Sequence, residues 1–236
     1  MAGGQQDQRM DIGSLVFDNM DQIDFTGPFE VLSRLPGATY RSYGLTGAPV
    51  RDVRGLTIVP DAAIADAPEL DVLHVPGGPG VDALMDNAEV LAWLRKQASH
   101  VVLSVCTGAL LLGAAGLLAG RRATTHWASL DLLREFGAEV VEDRVVVDGD
   151  CVFAGGVTSG IDGALTLAAR LHGDQVAQGI QLYMQYAPEP PFNAGTPRTA
   201  PPAVLRAAQA ELAEITRRRQ ETIRRIMVAH TRELAT

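Results

Sequence analysis

The stretch from Val101 to Gly113 reads Val-Val-Leu-Ser-Val-Cys-Thr-Gly-Ala-Leu-Leu-Leu-Gly, and it decides the fold. A short β-branched run ends at Cys106, and an Ala/Leu-rich helical pattern begins directly after it. A nucleophile carried on a sharp strand-to-helix turn forms a nucleophile elbow, here with sulfur in place of the usual serine oxygen. Small residues two positions before and after the thiol, Ser104 and Gly108, let the strand and helix backbones close tightly around it. We therefore predict that Cys106 is a nucleophile at the end of a buried strand.

The same position predicts how reactive Cys106 should be. A thiol at the first turn of a helix feels the positive end of the helix dipole and nearby free N–H groups. We therefore expect its pKa to fall toward that of a reactive thiolate. The alternative is a buried structural cysteine, which is the commonest fate of a free Cys.

Composition narrows the class of protein around this elbow. The chain has 236 residues, 47% of them hydrophobic and 20% charged, which is typical of one large compact α/β domain. A net charge of −8 disfavours nucleic acid as a partner. Two cysteines, Cys106 and Cys151, are too few for a disulfide framework, so we expect a cytoplasmic location. Residues 110–118 are too short to cross a membrane, and residues 1–10 lack the apolar core of a signal peptide.

Apolar runs alternate with helical patterns along the chain. This alternation predicts an α/β fold, a flavodoxin-like three-layer sandwich with a mostly parallel central sheet. We expect a flexible extension over residues 1–11, the α/β domain over 12–186, and a Pro-rich segment with a C-terminal helix over 187–236, packed on the same domain. The predicted strands are 12–17, 39–44, 71–75, 101–105, 123–125, 145–148 and 151–154, with a hairpin at 50–59. One predicted helix begins near Thr26, and the others cover about 89–99, 110–118, 130–136, 160–171, 174–186 and 203–231.

The last of these helices carries a basic cluster. Arg217-Arg218-Arg219 and Arg224-Arg225 lie within it, and acidic residues interleave with them. Because the whole chain is acidic, we interpret the cluster as a solvated face, or as the surface of a helix that packs on a partner, rather than a nucleic-acid site.

Ligands of open α/β sheets bind beyond the carboxyl ends of the strands. Three groups should meet there: Asp24 after the first strand, Gly77-Gly78 after the central strand, and Cys106. Asp18 and Asp21 are rivals of Asp24 in the same loop, but Asp24 directly precedes the helix entry Phe-Thr-Gly-Pro. The histidines show no metal-ligand spacing, and the sequence has neither a phosphate-cradling Gly-rich loop nor a dinucleotide fingerprint, so no pattern predicts a metal or organic cofactor. The histidines are His74, His100, His126, His172 and His230.

Several motifs together resemble the ThiJ/PfpI superfamily of cysteine-dependent α/β proteins and, within it, the isonitrile hydratase branch. The likeness covers nearly the whole chain from Ile12 onward. The elbow alone is shared by the superfamily, and its combination with Asp24 and the Pro-rich tail is more specific. The motifs are Asp-Phe-Thr-Gly-Pro (24–28), Pro-Gly-Gly (76–78), Ser-Val-Cys-Thr-Gly (104–108), Arg-Ala-Thr-Thr-His-Trp (122–127), Gly-Gly-Val-Thr-Ser-Gly-Ile-Asp (155–162), Tyr-Ala-Pro (186–188) and Pro-Phe-Asn-Ala-Gly (191–195).

The resemblance implies a hydro-lyase that converts an isonitrile, R–N≡C, and water into an N-substituted formamide without a cofactor, and it implies a homodimer. By matching positions, Cys106 is the nucleophile, Asp24 the acid/base and Thr107 the neighbouring active-site residue. The backbone N–H groups of Gly78 and Thr107 would form an anion-stabilising hole. The chemistry is consistent with these residue types, since a soft thiolate can attack the isonitrile carbon and a carboxylic acid can protonate it. Burial should keep Asp24 neutral beside the thiolate.

Some roles stay open at this point. The Thr107 hydroxyl either holds Asp24 or the water, or caps the elbow helix. His126 either forms a structural hydrogen bond or pairs with Cys106. Cys151 lies on a hairpin strand, where we expect it to be packed rather than reactive.

Two other functions compete with hydration. One is a glyoxalase, deglycase or protease-like member of the superfamily, although the protease-like branch commonly carries His where this chain has Thr107. The other is a ligand-sensing domain of AraC-type transcription regulators. Those proteins need a further helix-turn-helix module, and only about 35 residues follow the Pro-rich segment, so we do not expect DNA binding.

Overall fold

The computed structural model describes residues 9–98 and 100–233. Its strands are β1 (Met10–Leu15), β2 (Ala38–Gly44), β3 (Val50–Arg51), β4 (Thr57–Ile58), β5 (Ala62–Ala63), β6 (Val72–Val75), β7 (Val101–Val105), β8 (Arg122–Ala123), β9 (Glu139–Val140), β10 (Val145–Asp148) and β11 (Cys151–Ala154). The centre is a seven-stranded sheet in the order β10-β11-β7-β6-β1-β2-β5, parallel throughout except for the edge strand β10. Two small two-stranded sheets, β3-β4 and β8-β9, lie outside it.

Helices cover both faces of the sheet and bury two apolar clusters. They are α1 (Gln22–Leu32), α2 (Val81–Leu84), α3 (Ala88–Gln97), α4 (Gly108–Ala114), α5 (Leu132–Glu135), α6 (Ser159–His172), α7 (Asp174–Tyr183) and α8 (Pro202–Glu233). On one face α1 packs on α6 and α6 on α7, while on the other α4 packs against α2, α3 and α5. The central strands β6 and β7 are buried almost throughout, as expected of parallel strands covered on both sides. The predicted α/β fold with a mostly parallel sheet flanked by helices is confirmed.

The N-terminal extension is shorter than predicted. β1 begins at Met10, so the last two residues of the expected extension over 1–11 pair with β2. Residues 1–8 lie outside the described part of the chain, as does Ser99, the predicted end of α3.

The helix predicted near Thr26 begins four residues earlier, at Gln22. Proline is common in the first turn of a helix, because it lacks the N–H that an interior position donates, so Pro28 indicates a helix that begins only shortly before it. In the structure Pro28 lies inside α1. Asp24 is therefore in the first helical turn rather than in the loop before the helix, and its backbone interacts with the buried His74 ring of β6.

Candidate active site

Cys106 lies at the sharp turn between β7 and α4, with a backbone φ of +54°. This left-handed conformation is strained for a residue with a side chain. Two hydrogen bonds hold it: the Cys106 N–H donates to the Ala154 carbonyl at 2.9 Å, and the Thr125 hydroxyl donates to the Cys106 carbonyl at 2.6 Å. The residue is only 5% exposed. The predicted strand-to-helix elbow is therefore present, and its thiol is buried at the end of a central strand.

Gly108 lets the two backbones of the elbow approach as closely as they do. A Cβ at this position would overlap the carbonyl oxygen of Val75 on the neighbouring strand β6. Only glycine can therefore begin α4 here without moving the helix away from the sheet. The structure supports the expectation that a small residue at position 108 lets the elbow close.

The carboxyl group of Asp24 reaches the elbow from α1. Asp24 is fully buried, and its Oδ2 accepts a hydrogen bond from the Gly77 N–H at 3.0 Å. Its carboxyl lies against the Cys106 thiol, and each group shifts the pKa of the other. Within the described residues, Oδ1 is buried without a hydrogen-bond partner. Thus α1, the turn after β6 and the elbow meet at one point, as the topology predicts.

Burial decides the protonation of this pair. It raises the pKa of Asp24 well above the usual range, and the nearby Asp21 raises it further against the lowering by the Gly77 N–H and by Cys106. Burial likewise raises the pKa of the Cys106 thiol, and the charge of Asp24 adds to this. The Thr107 N–H and the Arg219 guanidinium lower that thiol pKa, but they do not outweigh burial. The expected neutral Asp24 is supported, whereas the expected fall in the pKa of Cys106 is wrong.

The partner of the Thr107 hydroxyl is the backbone of Gly78. Its Oγ1 accepts a hydrogen bond from the Gly78 N–H at 3.0 Å and lies 3.3 Å from the Gly78 carbonyl oxygen, to which it can donate. It makes no capping hydrogen bond to α4. The N–H of Gly78, expected to face an anion, is therefore engaged by Thr107, whereas the N–H of Thr107 is directed at the Cys106 sulfur.

Gly78 itself has a conformation that requires glycine. Its φ is +134°, and a Cβ would come within 2.6 Å of the Met20 Cα. The turn that carries the Gly77 and Gly78 N–H groups therefore packs directly on the segment preceding α1.

Arg219 is the largest departure from the sequence interpretation. It lies on α8, within the cluster interpreted as solvated, but it is only 5% exposed. Its guanidinium donates to Asp82 Oδ1 at 2.6 Å, to Ser129 Oγ at 3.3 Å and to the Gly78 carbonyl at 3.0 Å. The interpretation holds for Arg217, which pairs with Glu214 and Glu221 at the surface, and fails for Arg219.

The rival aspartates do not occupy the position of Asp24. Asp18 is exposed, and its Oδ1 accepts from the Arg51 N–H at 2.8 Å. Asp21 lies next to the site and acts on Asp24 through its charge.

The other open residues have structural partners. The His126 Nδ1 accepts from the Ala128 N–H at 3.4 Å, and burial with the nearby Arg219 charge lowers the His126 pKa to about 4. This supports its structural role. Cys151 is a buried free cysteine on β11, and burial raises its pKa.

Sequence reasoning misses Thr125 and Arg219 as members of the site. In the sequence, Thr125 is noticed only as part of the Thr-Thr-His-Trp motif, and this motif does not indicate what its hydroxyl binds. Nothing in the local sequence distinguishes Arg219 from Arg217 and Arg218, because its partners lie 90 to 141 residues away. No cluster that could hold a metal ion occurs among the described residues, and no helix among them is both long and apolar enough to cross a membrane.

Comparison with known proteins places this site in a family context. The model of the DJ-1/PfpI family matches residues 11–170. An isonitrile hydratase from Pseudomonas putida is 48% identical over 218 residues, which cover 92% of this chain and 96% of that protein. The crystal structure of a ThiJ/PfpI family protein from Pseudomonas syringae superposes with a TM-score of 0.90 at 38% identity, covering 94% of both chains.

A transcription regulator is also similar over part of its length. The HTH-type transcriptional regulator CdhR of Pseudomonas aeruginosa is 32% identical over 177 residues, which are 72% of this chain and 52% of the regulator. The similarity to the regulator is therefore weaker and covers only about half of that protein.

Proposed function

The chain belongs to the DJ-1/PfpI family, and from this membership and the geometry of its site we propose that it is an isonitrile hydratase. It adds water to an isonitrile, R–N≡C, and releases an N-substituted formamide. The identity to the Pseudomonas putida hydratase extends over nearly all of both chains, which favours this function over that of a sensor domain.

The observation that carries the mechanism is the buried contact between the Cys106 thiol and the Asp24 carboxyl. Hydration of an isonitrile requires both a nucleophile and a proton at the same carbon. Because Oδ2 of Asp24 accepts from the Gly77 N–H, the acid proton belongs on Oδ1, the buried oxygen without another partner. A soft nucleophile and an available proton therefore stand side by side in a site that excludes bulk water.

The first step forms a thioimidate. The Cys106 sulfur attacks the terminal carbon of the isonitrile while Asp24 gives its proton to that carbon and takes the thiol proton. The product is Cys–S–CH=N–R, and the carboxyl is again neutral. The N–H of Thr107 stabilises the negative charge that develops on sulfur, so we assign the anion-stabilising role to this group. Gly78 supports this group indirectly, because its N–H donates a hydrogen bond to the Thr107 hydroxyl.

In the remaining steps Asp24 again accepts one proton and donates another. A water adds to the thioimidate carbon as Asp24 takes one of its protons and returns a proton to the nitrogen. The C–S bond of this adduct then breaks, the hydroxyl proton passes to Asp24, and the sulfur leaves with the proton that Asp24 returns. The products are the formamide R–NH–CHO and the free thiol, so one isonitrile and one water are consumed.

We further propose that the protein is a cytoplasmic homodimer that acts without a cofactor. Two free, buried cysteines suit a reducing compartment. Apolar side chains are exposed on two helices, Phe29 of α1 by 39% and Leu182 and Tyr183 of α7 by 81% and 72%, and a second copy would cover them.

Mass spectrometry of the protein mixed with a simple alkyl isonitrile tests the proposed function. We expect formamide release and a transient adduct on Cys106 whose mass equals that of the isonitrile, absent in Cys106→Ser. Methylglyoxal and a peptide serve as comparison substrates. Turnover of either one without formamide production from isonitriles would assign the site to another branch of the family.

A further inference from the structure

The buried guanidinium of Arg219 has no role in the steps above, although it contacts the turn on which they depend. α8 lies beyond residue 170, where the matched family region ends, and it delivers this side chain to the active-site end of the sheet. Its neighbours on the same helix, Arg217 and Arg218, are exposed. The burial of one arginine among three adjacent ones requires a specific set of partners.

The three partners of Arg219 belong to three separate elements. Asp82 lies on α2, Ser129 on the 3-10 turn Trp127–Ser129, and Gly78 in the turn between β6 and α2. A planar guanidinium can bind such a set at fixed angles, which a lysine ammonium cannot reproduce. Asp82 forms an ion pair with the guanidinium, which compensates for part of the cost of burying the arginine. Arg219 therefore joins α8 to both loops that border the elbow.

The contact to Gly78 connects Arg219 to the reacting groups. The carbonyl oxygen of Gly78 accepts from Arg219 Nη2 at 3.0 Å and also lies 3.3 Å from the Thr107 hydroxyl. The same hydroxyl accepts from the Gly78 N–H, and Thr107 directly follows Cys106. An unbroken series of contacts thus leads from the guanidinium through Gly78 to the residue whose N–H faces the sulfur.

We propose that Arg219 is a positioning residue of the active site: it fixes the Gly77–Gly78 turn against Thr107 and holds its positive charge beside the elbow that carries Cys106. This inference rests on the proposed function for its chemical meaning, but it makes a claim about the thiol itself. The positive charge of Arg219 lowers the pKa of Cys106, opposing burial and Asp24. It also lowers the pKa of His126, so its field reaches both sides of the elbow. Arg219 pairs with Asp82 and acts through its charge on His126 and Cys106, and Cys106 is also exposed to the charge of Asp24.

The rate of alkylation of Cys106 by iodoacetamide, followed across pH by peptide mass spectrometry, tests the effect on the thiol without any isonitrile. Alkylation proceeds through the thiolate, and mapping separates Cys106 from Cys151. Removing the charge with Arg219→Gln should raise the pH midpoint of alkylation and slow alkylation at every pH below that midpoint. Arg219→Lys keeps the charge, so its thiol should react at most of the parent rate. Its formamide turnover should stay low, because an ammonium cannot bind the three partners of the planar guanidinium. Arg218→Gln, on the exposed neighbour, should match the parent protein.

Asp82→Asn makes the test directional. It leaves the Arg219 charge uncompensated, so we expect the Cys106 midpoint to fall, opposite to the shift in Arg219→Gln. Midpoints that rise in both variants, or an unchanged midpoint in folded Arg219→Gln, would overturn the proposal. If Arg219→Gln does not fold, Asp82→Asn decides alone, because a purely structural anchor predicts no fall. Altered alkylation in a protein that makes no formamide would support Arg219 and reject only the hydratase assignment.

Discussion

At the scale of single residues, the site depends on two groups that burial keeps neutral. Asp24 is fully buried and Cys106 nearly so, and desolvation is the largest cause of the raised pKa of each. A thiolate formed in advance would need a stronger positive field than the short helix α4 provides. The pair instead holds both protons at rest and can transfer them in concert with the attack on the carbon.

Asp24→Asn removes the transferable proton with little change in shape. The side-chain oxygen can still accept from Gly77, but we expect formamide turnover to fall by about 10²–10⁴-fold, as is usual when a general acid/base is lost. The thioimidate adduct on Cys106 should also disappear, since its formation needs the proton on carbon. Steady-state formamide assays and intact-protein mass spectrometry measure the two effects.

The matched control is Asp18→Asn, which changes the exposed rival aspartate of the same segment. It should keep the parent activity. Formamide production by Asp24→Asn at nearly the parent rate would show that the proton comes from another group.

At the scale of elements, the elbow joins a strand and a helix that cannot separate. Cys106 is strained, and the hydrogen bonds from Thr125 and to Ala154 keep it in place from two neighbouring segments. Gly108 permits the close contact with β6 that completes the turn.

Gly108→Ala should therefore destabilise the protein and impair the site together. The added methyl group overlaps the Val75 carbonyl, which is backbone and cannot move aside as a side chain could. We expect a loss of about 1–3 kcal/mol or more in the free energy of unfolding, measured by urea denaturation, with a parallel loss of turnover. Gly47→Ala is the control: it lies in an exposed loop with open space around it and should change neither quantity. A Gly108→Ala variant as stable and active as the parent would mean that α4 does not pack tightly against the Val75 carbonyl.

The elements that sequence can predict are those with local signals. The strand before Cys106 follows from its β-branched run, and the hairpin β10–β11 is predicted with its observed bounds because Asp148-Gly149-Asp150 supplies the turn. The sequence places the start of α1 too late, because proline is most common in the first turn of a helix, whereas Pro28 lies inside α1.

The composition of the site is predictable from topology, but its electrostatics is not. Parallel strands bring Asp24, Gly78 and Cys106 to one edge, and the structure places them there. The raised pKa of Cys106 depends on how completely the surrounding layers exclude water, which no local pattern reports. The burial of Arg219 depends on Asp82 and Gly78, which are 137 and 141 residues away.

At the scale of the whole molecule, the exposed apolar side chains of α7 predict self-association. Leu182 and Tyr183 stand out by their exposure, and Arg34 stacks on the Tyr183 ring with its guanidinium carbon 4.0 Å from the ring centre. We expect Leu182→Asp to shift the protein from dimer to monomer in sedimentation equilibrium, because a charge at this position would be desolvated in the interface. Val204→Asp, at an exposed apolar position on α8, is the matched control and should stay dimeric. A parent protein that sediments as a monomer would contradict the expectation.

The pH dependence of stability should reveal the buried ring of His74, which lies in the centre of the sheet. Burial lowers the pKa of His74 to about 3, and its Nδ1 lies 2.7 Å from the Tyr40 hydroxyl. The unfolded chain, in which a histidine has a pKa of about 6.5, therefore binds more protons between these two values. Stability should fall as pH drops from about 6.5 to about 3, by at most about 4 to 5 kcal/mol from this residue. His126, with a pKa of about 4, adds a smaller effect of the same sign.

Asp24 works in the opposite direction, because its raised pKa makes the folded state bind the extra proton as pH rises past about 4. The two contributions can be separated with the double variant Tyr40→Phe/His74→Leu. This variant removes both hydrogen-bonding partners at once, so it avoids leaving either one buried and unpaired. In urea unfolding from about pH 7 to about pH 4, the free energy of unfolding should fall less steeply toward acid pH (a flatter acid limb) for the double variant than for the parent. The two proteins should have similar stability near neutrality. Tyr40→Phe alone should keep the acid limb and lose about 1–3 kcal/mol at neutral pH, because it strands the His74 nitrogen. An equally steep acid limb in the double variant would place the titrating group elsewhere in the molecule.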